Sequence, residues 1–270
     1  MSLHTQNIQD ASAKGSWQRT GVRAPLAAAV LLLFALLAPA PLVRADDDIG
    51  NEYRLTLSPS HPIMGNLSGF GQFEYRNNPQ KEYQVYEVQW PGLTYSVKHW
   101  LQLSGGLLTR YTDNERSADK LELRPFAGVK LFVPNEIKWT IYNYTRYEFR
   151  DTLDLDTHLW TDYSRLRSRF GVEVPLTSRE RAWHPRTWYG LADVEPIYRF
   201  DHNTIDPLYV RGGLGYVLSD RLRLEFVYYA QFARSSGSSL AYADNIFQLN
   251  IKIGLGEGLL RRLHNPRAGD

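Results

Sequence analysis

No cysteine occurs in the 270-residue sequence, so a disulfide framework, a thiolate metal site and a cysteine nucleophile are all excluded. Beyond residue 45 no apolar run approaches the ~20 residues that a membrane-spanning helix needs. Excess charge of either sign is missing as well. Residues 1–45 hold four basic residues and one acid, which reduces the 31 Lys+Arg and 29 Asp+Glu of the chain to 27 and 28. A near-neutral chain gives no reason to expect nucleic acid as a partner. Neither a glycine-rich phosphate loop nor metal-ligand spacing is found, and no cofactor is expected.

The N-terminal segment has its own logic. Residues 1–24 are polar and include Lys14, Arg19 and Arg23; residues 26–37 are only Leu, Ala, Val and Phe; small residues and prolines then lead to Ala45. A basic region, a short apolar region and a small residue at the break predict a secretory signal peptide cleaved near Ala45. The bacterial outer membrane is the expected destination, with residues 46–66 as a lead-in, 67–255 as the folded unit and 256–270 as a basic tail on the periplasmic side.

Aromatics are plentiful: 7 Trp, 17 Tyr and 11 Phe. They sit in short segments that alternate between apolar and polar residues. In 163–175, Arg165, Arg167, Arg169 and Glu173 share one face of a strand, and Leu166, Phe170, Val172 and Val174 the other. A strand that is apolar on one side and charged on the other suits a transmembrane barrel, with lipid outside and a polar lumen inside. A soluble periplasmic sandwich is the competing reading, but its apolar faces seldom need so many regular aromatics.

Ten segments alternate in this way: 67–76, 82–97, 101–111, 121–133, 137–150, 163–175, 188–200, 208–218, 221–232 and 245–255. The pattern predicts an all-β, antiparallel transmembrane β-barrel of about ten strands. Segment 82–97 changes register at Pro91-Gly92, which is read as a bulge within one long strand. Residues 52–57 end at the breaker Ser58-Pro59-Ser60-His61-Pro62 and stay outside the count; including them and dividing at Pro91-Gly92 gives an alternative of twelve. Connections near His99, Pro134 and Ser219 are short, and those near Thr112, Asp151, Asp201 and Arg234 are longer and polar. Short periplasmic turns, longer outer loops, an even strand number and both termini on the turn side are expected of such a barrel. The 177–187 connection is long for that side.

The inward face gathers Glu122, Arg124, Arg146, Glu148, Arg150, Arg165, Arg167, Arg169, Asp193, Glu195, Arg199, Arg223 and Glu225. In a narrow barrel, arginines bridged to carboxylates fill the interior, and the β-strand 163–175 is expected to meet acids such as Glu122 and Glu148. The functional alternative is a narrow pore with anion preference. An aromatic girdle is expected from Tyr111, Phe149, Trp160, Phe200, Phe232 and Phe247 near the loops and from Trp139 and Trp188 near the turns. Outer-membrane lipids and the barrel assembly machinery are the expected partners of a monomer. A surface-facing hydrolase is the second reading, resting on Asp154, Asp156 and His158 in one loop and Asp201, His202 and Asp206 in another. Turn chemistry accounts for the same acids.

Three stretches carry a family resemblance. Glu122-Leu123-Arg124-Pro125 ahead of Gly128, the pair formed by residues 143–150 and 163–169, and Arg211-Gly212-Gly213-Leu214-Gly215-Tyr216 before Ser219-Asp220 resemble a domain of unknown function found in small bacterial outer-membrane barrels. The resemblance spans roughly residues 50–255 and implies fold and location, but no activity and no catalytic residue. One departure is the end of the last strand, where Ile253 to Leu255 stand in place of the usual terminal aromatic.

Overall fold

The computed structural model describes residues 49–178, 182–234 and 239–256; the expected signal peptide and the tail beyond Gly256 lie outside them. Eleven strands follow one another: β1 (Gly50–Met64), β2 (Leu67–Asn78), β3 (Tyr83–Lys98), β4 (Leu101–Asn114), β5 (Lys120–Val133), β6 (Thr140–Asp154), β7 (Trp160–Pro175), β8 (Trp188–Arg199), β9 (Thr204–Ser219), β10 (Leu222–Arg234) and β11 (Leu240–Gly254). They close into a barrel in the order β1-β11-β10-β9-β8-β7-β6-β5-β4-β3-β2. Chain neighbours pair antiparallel, as in Glu148 opposite Arg165. The closing pair is parallel, from Gly50 opposite Asp244 to Ser60 opposite Gly254.

Period-two alternation places the two kinds of side chain on opposite faces. Outward rows such as Tyr53, Leu55 and Leu57, or Tyr86, Val88 and Trp90, are exposed. Inward rows are charged, and Arg124, Arg223 and Tyr189 head the largest fully buried side chains. The barrel is therefore inverted relative to a water-soluble core, where such groups are seldom buried. Ordinary apolar packing inside is limited to patches, among them Val227, Tyr229 and Ile246 with Leu191 and Tyr209 alongside.

The all-β barrel agrees with the alternation, but the count is eleven rather than ten or twelve. The expected lead-in supplies β1. Its prolines are tolerated because the β1–β2 bridges skip from Leu57/Phe73 to Ser60/Phe70, leaving Pro59 where no ladder bond to β2 is made, and because Pro62 stands at a register shift. An odd count also puts Gly50 and Gly254 on opposite rims, so the expectation of both ends on one side does not hold. We call the two ends the turn rim, with the β1–β2, β3–β4, β5–β6, β7–β8 and β9–β10 connections, and the loop rim. At the first of these turns Gly65 takes the left-handed conformation, φ 52°, that closes a two-residue connection.

β3 runs through Pro91 in one piece, with register shifts against β4 between Gln89 and Gly92. At the loop rim the strands extend further than expected, β4 to Asn114 and β6 to Asp154, which leaves loops of four or five residues where the chain is described throughout. Polar residues there look like loops in sequence, yet Gln84 pairs with Asp113 and Leu121 with Leu153 in continuous hairpins.

Candidate functional site in the barrel lumen

The inward charges form one circuit. Thr56 donates to Glu74 Oε2 at 2.9 Å. Arg76 joins Glu74 (2.5 Å) to Glu87 (3.2 Å), and Arg110 joins Glu87 (2.5 Å) to Glu122 (3.9 Å). Arg124 lies 2.6 Å from Glu122 and 3.7 Å from Glu148. Arg167 spans Glu148 (3.5 Å) and Glu195 (2.5 Å), and Arg211 pairs with Glu195 at 2.8 Å. The Arg211 guanidinium then lies over the Tyr229 ring, 5.1 Å from its centre. Tyr229 donates to Gln248 Oε1, and Gln248 Nε2 returns the circuit to Thr56 Oγ1 at 2.5 Å. Every one of the eleven strands supplies at least one member.

Carboxylates are the hubs. Glu148 is fully buried and meets Arg146, Arg165 at 2.5 Å and Arg167 at 3.5 Å. Glu195 accepts from Arg167 and Arg169 (2.5 and 2.9 Å), and Asp193 pairs with Arg211. All three arginines of β7 are thus paired, but with Glu148 and Glu195. Glu122 instead serves Arg110, Arg124 and Arg150, because the strand stagger sets which inward residues share a level. Burying so many ions is tolerated only where each is paired, since a lone buried charge costs several kcal/mol.

Nearer the turn rim a second cluster joins Arg223 to Glu225 at 2.9 Å; Tyr189 and Lys252 donate to the same Glu225 at 2.7 and 2.6 Å. Above Arg223 lies the Trp183 ring, 4.2 Å from the guanidinium carbon, with its indole N–H donating to Thr140 Oγ1 at 3.1 Å. Ala182 and Trp183 belong to the long β7–β8 connection and are buried. These two described residues of the connection reach into the lumen. Arg199 stays at the loop rim, paired with Asp201 at 2.6 Å and stacked over Tyr163 at 4.4 Å.

Sequence reasoning left out several lumen residues: Arg54 and Thr56 because segment 52–57 was kept outside the strand count, Glu74, Arg76, Glu87 and Arg110 although their alternation was visible, and Arg211 inside a glycine-rich run. Trp183 gave no periodic signal.

The predicted aromatic residues stand outside the barrel. At the loop rim Tyr111 neighbours Tyr86 (6.4 Å), Phe247 neighbours Tyr53 (5.8 Å) and Phe232 neighbours Tyr242 (5.6 Å). Phe200 packs against Tyr147 at 6.2 Å, and Phe149 and Trp160 are exposed on the same rim. At the turn rim Trp188 packs on Tyr216 at 4.8 Å, and the carbonyl of Trp139 accepts from Asn135 Nδ2 at 2.9 Å. Trp90, Tyr95 and Trp100 are exposed as well and were not anticipated as girdle members.

The loop acids are largely committed to local structure. Asp154 Oδ1 accepts from the backbone N–H of Asp156 and Thr157 and from Thr157 Oγ1 (3.2, 2.9 and 2.9 Å). Asp206 accepts from the N–H of Arg234 at 3.1 Å. Asp201 is held below the usual carboxylate range by its hydrogen bonds from Arg199, and lies 3.5 Å from His202 Nε2. Among the described residues no group of three His, Cys, Asp or Glu side chains is placed to hold a metal ion.

Among the spaces left between the described side chains are two chambers inside the barrel. One, of ≈ 310 Å³, is lined by circuit members such as Glu74, Arg76, Arg167, Glu195 and Arg211 together with Arg54 and Asn250. The other, of ≈ 270 Å³, lies toward the turn rim among Ser60, Ser104, Lys130, Tyr144 and Glu173. The two share lining residues, including Phe70, Tyr142 and Arg169.

A family model described as Protein of unknown function (DUF2490) matches residues 51–241, from β1 to the first residues of β11. The chain belongs to the DUF2490 family. No curated protein and no solved structure matches it. Membership of this family agrees with the barrel fold and brings no activity with it.

Proposed function

We propose that the protein is an integral outer-membrane barrel, exported on its N-terminal leader, whose braced interior carries no steady ion flow. The observation that carries this reading is the closed polar circuit through all eleven strands, set against an outer surface of exposed Leu, Val, Phe, Tyr and Trp. An apolar band around a whole circumference is far larger than the patches of a few hundred Å² that soluble monomers expose, and lipid is the solvent that accommodates it. Every described lumen arginine has a carboxylate partner, so among the described residues there is no free arginine ring of the kind that selects anions in a pore. Trp183 fills the lumen beside Arg223. Outer-membrane lipids and, during biogenesis, the barrel assembly machinery are the partners of this monomer.

Fractionation and reconstitution test the reading. The protein is expected in the outer-membrane fraction, with heat-modifiable electrophoretic mobility and no steady current in planar bilayers. Recovery in the soluble periplasmic fraction sinks the membrane assignment; ohmic single-channel steps from the refolded wild type sink the closed lumen.

A further inference from the structure

Lys130 differs from the other cations of the lumen. The described inward arginines and Lys252 all meet a carboxylate, whereas Lys130 has neither an ion pair nor a hydrogen bond among the described residues. Its ammonium rests 4.6 Å from the centre of the Tyr142 ring and 4.9 Å from that of Phe132. Across the same chamber, Glu173 is buried and its Oε2 accepts no hydrogen bond among the described residues, the nearest cation being Arg223 Nη2 at 3.7 Å. Leaving a buried carboxylate oxygen without a donor is unfavourable unless something supplies one.

The space between them is built. Tyr144 is fixed by contact with Ser104 Oγ at 3.0 Å and lies against Gly128, and Tyr142 lies over Gly171. Both glycines are inward positions where a side chain would occupy the place of a ring. On β1, β3 and β4 most of the inward residues here are short, namely Ser58, Ser60, Thr94 and Ser104, with Gln102 the longer one. Small residues on one wall and pinned rings on the other hold the ≈ 270 Å³ open. The charged lining is Lys130, Arg169 and Lys252 against Glu173, three cations to one acid.

We propose that this turn-rim chamber binds a small soluble organic anion, a carboxylate or phosphate on the scale of one sugar ring, that also carries hydroxyl groups. The anion takes the place of the missing counter-ion at Lys130, and a hydroxyl donates to Glu173 Oε2. Tyr142 and Phe70 provide the apolar faces along which a ring lies. The site does not depend on which membrane holds the barrel, so it stands or falls separately from the localisation and conductance of the protein.

The test is calorimetric titration of the refolded full chain in micelles with glucuronate, glucose 6-phosphate, acetate and neutral glucose. Saturable binding of at least one hydroxylated anion is expected, with glucose weaker by at least about tenfold, the lower end of what a hydrogen bond to a charged group supplies. Lys130→Met should weaken that binding by a similar factor, Lys130→Arg should retain it, and Lys98→Met, which removes an exposed cation of the same rim, should leave it unchanged. Glu173→Ala should narrow the gap between glucuronate and acetate, which has no hydroxyl. Heat-modifiable mobility shows that each variant is folded. The proposal is overturned if no anion binds saturably to the wild type, if glucose binds as well as glucuronate, or if folded Lys130→Met binds like the wild type. An unchanged glucuronate to acetate gap in Glu173→Ala removes Glu173 from the site.

Discussion

The Tyr142 ring packs on Gly171, so close that a Cβ added to the glycine would stand 2.5 Å from the ring. Glycine in the middle of a strand normally weakens it; here its bare Cα is the seat of an inward aromatic on the neighbouring strand. Gly171→Ala must push the ring aside or distort β6 against β7. Overpacking of this kind destabilises by roughly 1–3 kcal/mol. A lower urea midpoint for the refolded variant, with unchanged heat-modifiable mobility at neutral pH, is the expected result; an unchanged midpoint shows that the ring moves freely.

Glu195 meets Arg167, Arg169 and Arg211 at 2.5 to 2.8 Å while being almost wholly buried. Glu195→Ala leaves three guanidinium groups facing one another without their hub. Removing one partner of a buried pair typically destabilises by about 3–5 kcal/mol, because the penalty is the stranded charge rather than the lost attraction. The exposed Arg116–Glu82 pair at the loop rim is the contrast: its side chains are 59% and 42% exposed, and Arg116→Ala should barely move the unfolding midpoint. Equal shifts in the two variants would show that the lumen is as well solvated as the rim.

Much of the barrel is legible in sequence because a period of two survives in every strand, and the row Arg165, Arg167 and Arg169 could be assigned to the lumen from its alternation alone. Pairing was not legible. Which carboxylate meets which arginine depends on the stagger of strands around a closed sheet, and no local pattern encodes that; hence Glu195 rather than Glu122 opposite β7. Segment 52–57 stayed outside the strand count because Pro59 and Pro62 read as a breaker, although Pro59 falls in a gap of the ladder to β2 and Pro62 at its register shift. Trp183 was hidden for a different reason: a connection that folds inward has no periodicity. The solitary state of Lys130 is a property of its neighbours, and its own alternating segment looks like any other.

Asp119 offers a titration at the loop rim. Its carboxylate accepts from Tyr111 Oη at 2.6 Å and from the N–H of Asn114 at 3.1 Å. Those hydrogen bonds, the tyrosine first, hold it below its ordinary value of 3.8. A group whose folded pKa is depressed contributes stability that is present above the unfolded pKa and is lost as pH falls through the folded one. The β4–β5 hairpin tip should therefore loosen only below about pH 4. Carboxyl carbon NMR of the refolded protein checks the cause: Tyr111→Phe should raise the Asp119 midpoint toward the ordinary range. A midpoint that does not move assigns the depression to the backbone N–H alone.

Trp183 sits where the β7–β8 connection enters the lumen, its indole between Thr140 and the Arg223 guanidinium. Deleting the ring in Trp183→Ala removes a buried aromatic, which typically costs about 3–5 kcal/mol. It also uncovers Arg223, whose Nη1 makes no hydrogen bond among the described residues. Two readouts separate packing from occlusion. The urea midpoint should fall whether or not the ring blocks the lumen. Planar-bilayer recording is specific: a steady current that is absent in the wild type should appear in Trp183→Ala and be reduced in Trp183→Phe, which refills most of the space. If the variant is destabilised but carries no current, the circuit of arginines and carboxylates is by itself narrow enough to stop ions, and Trp183 serves as packing for the turn rim alone.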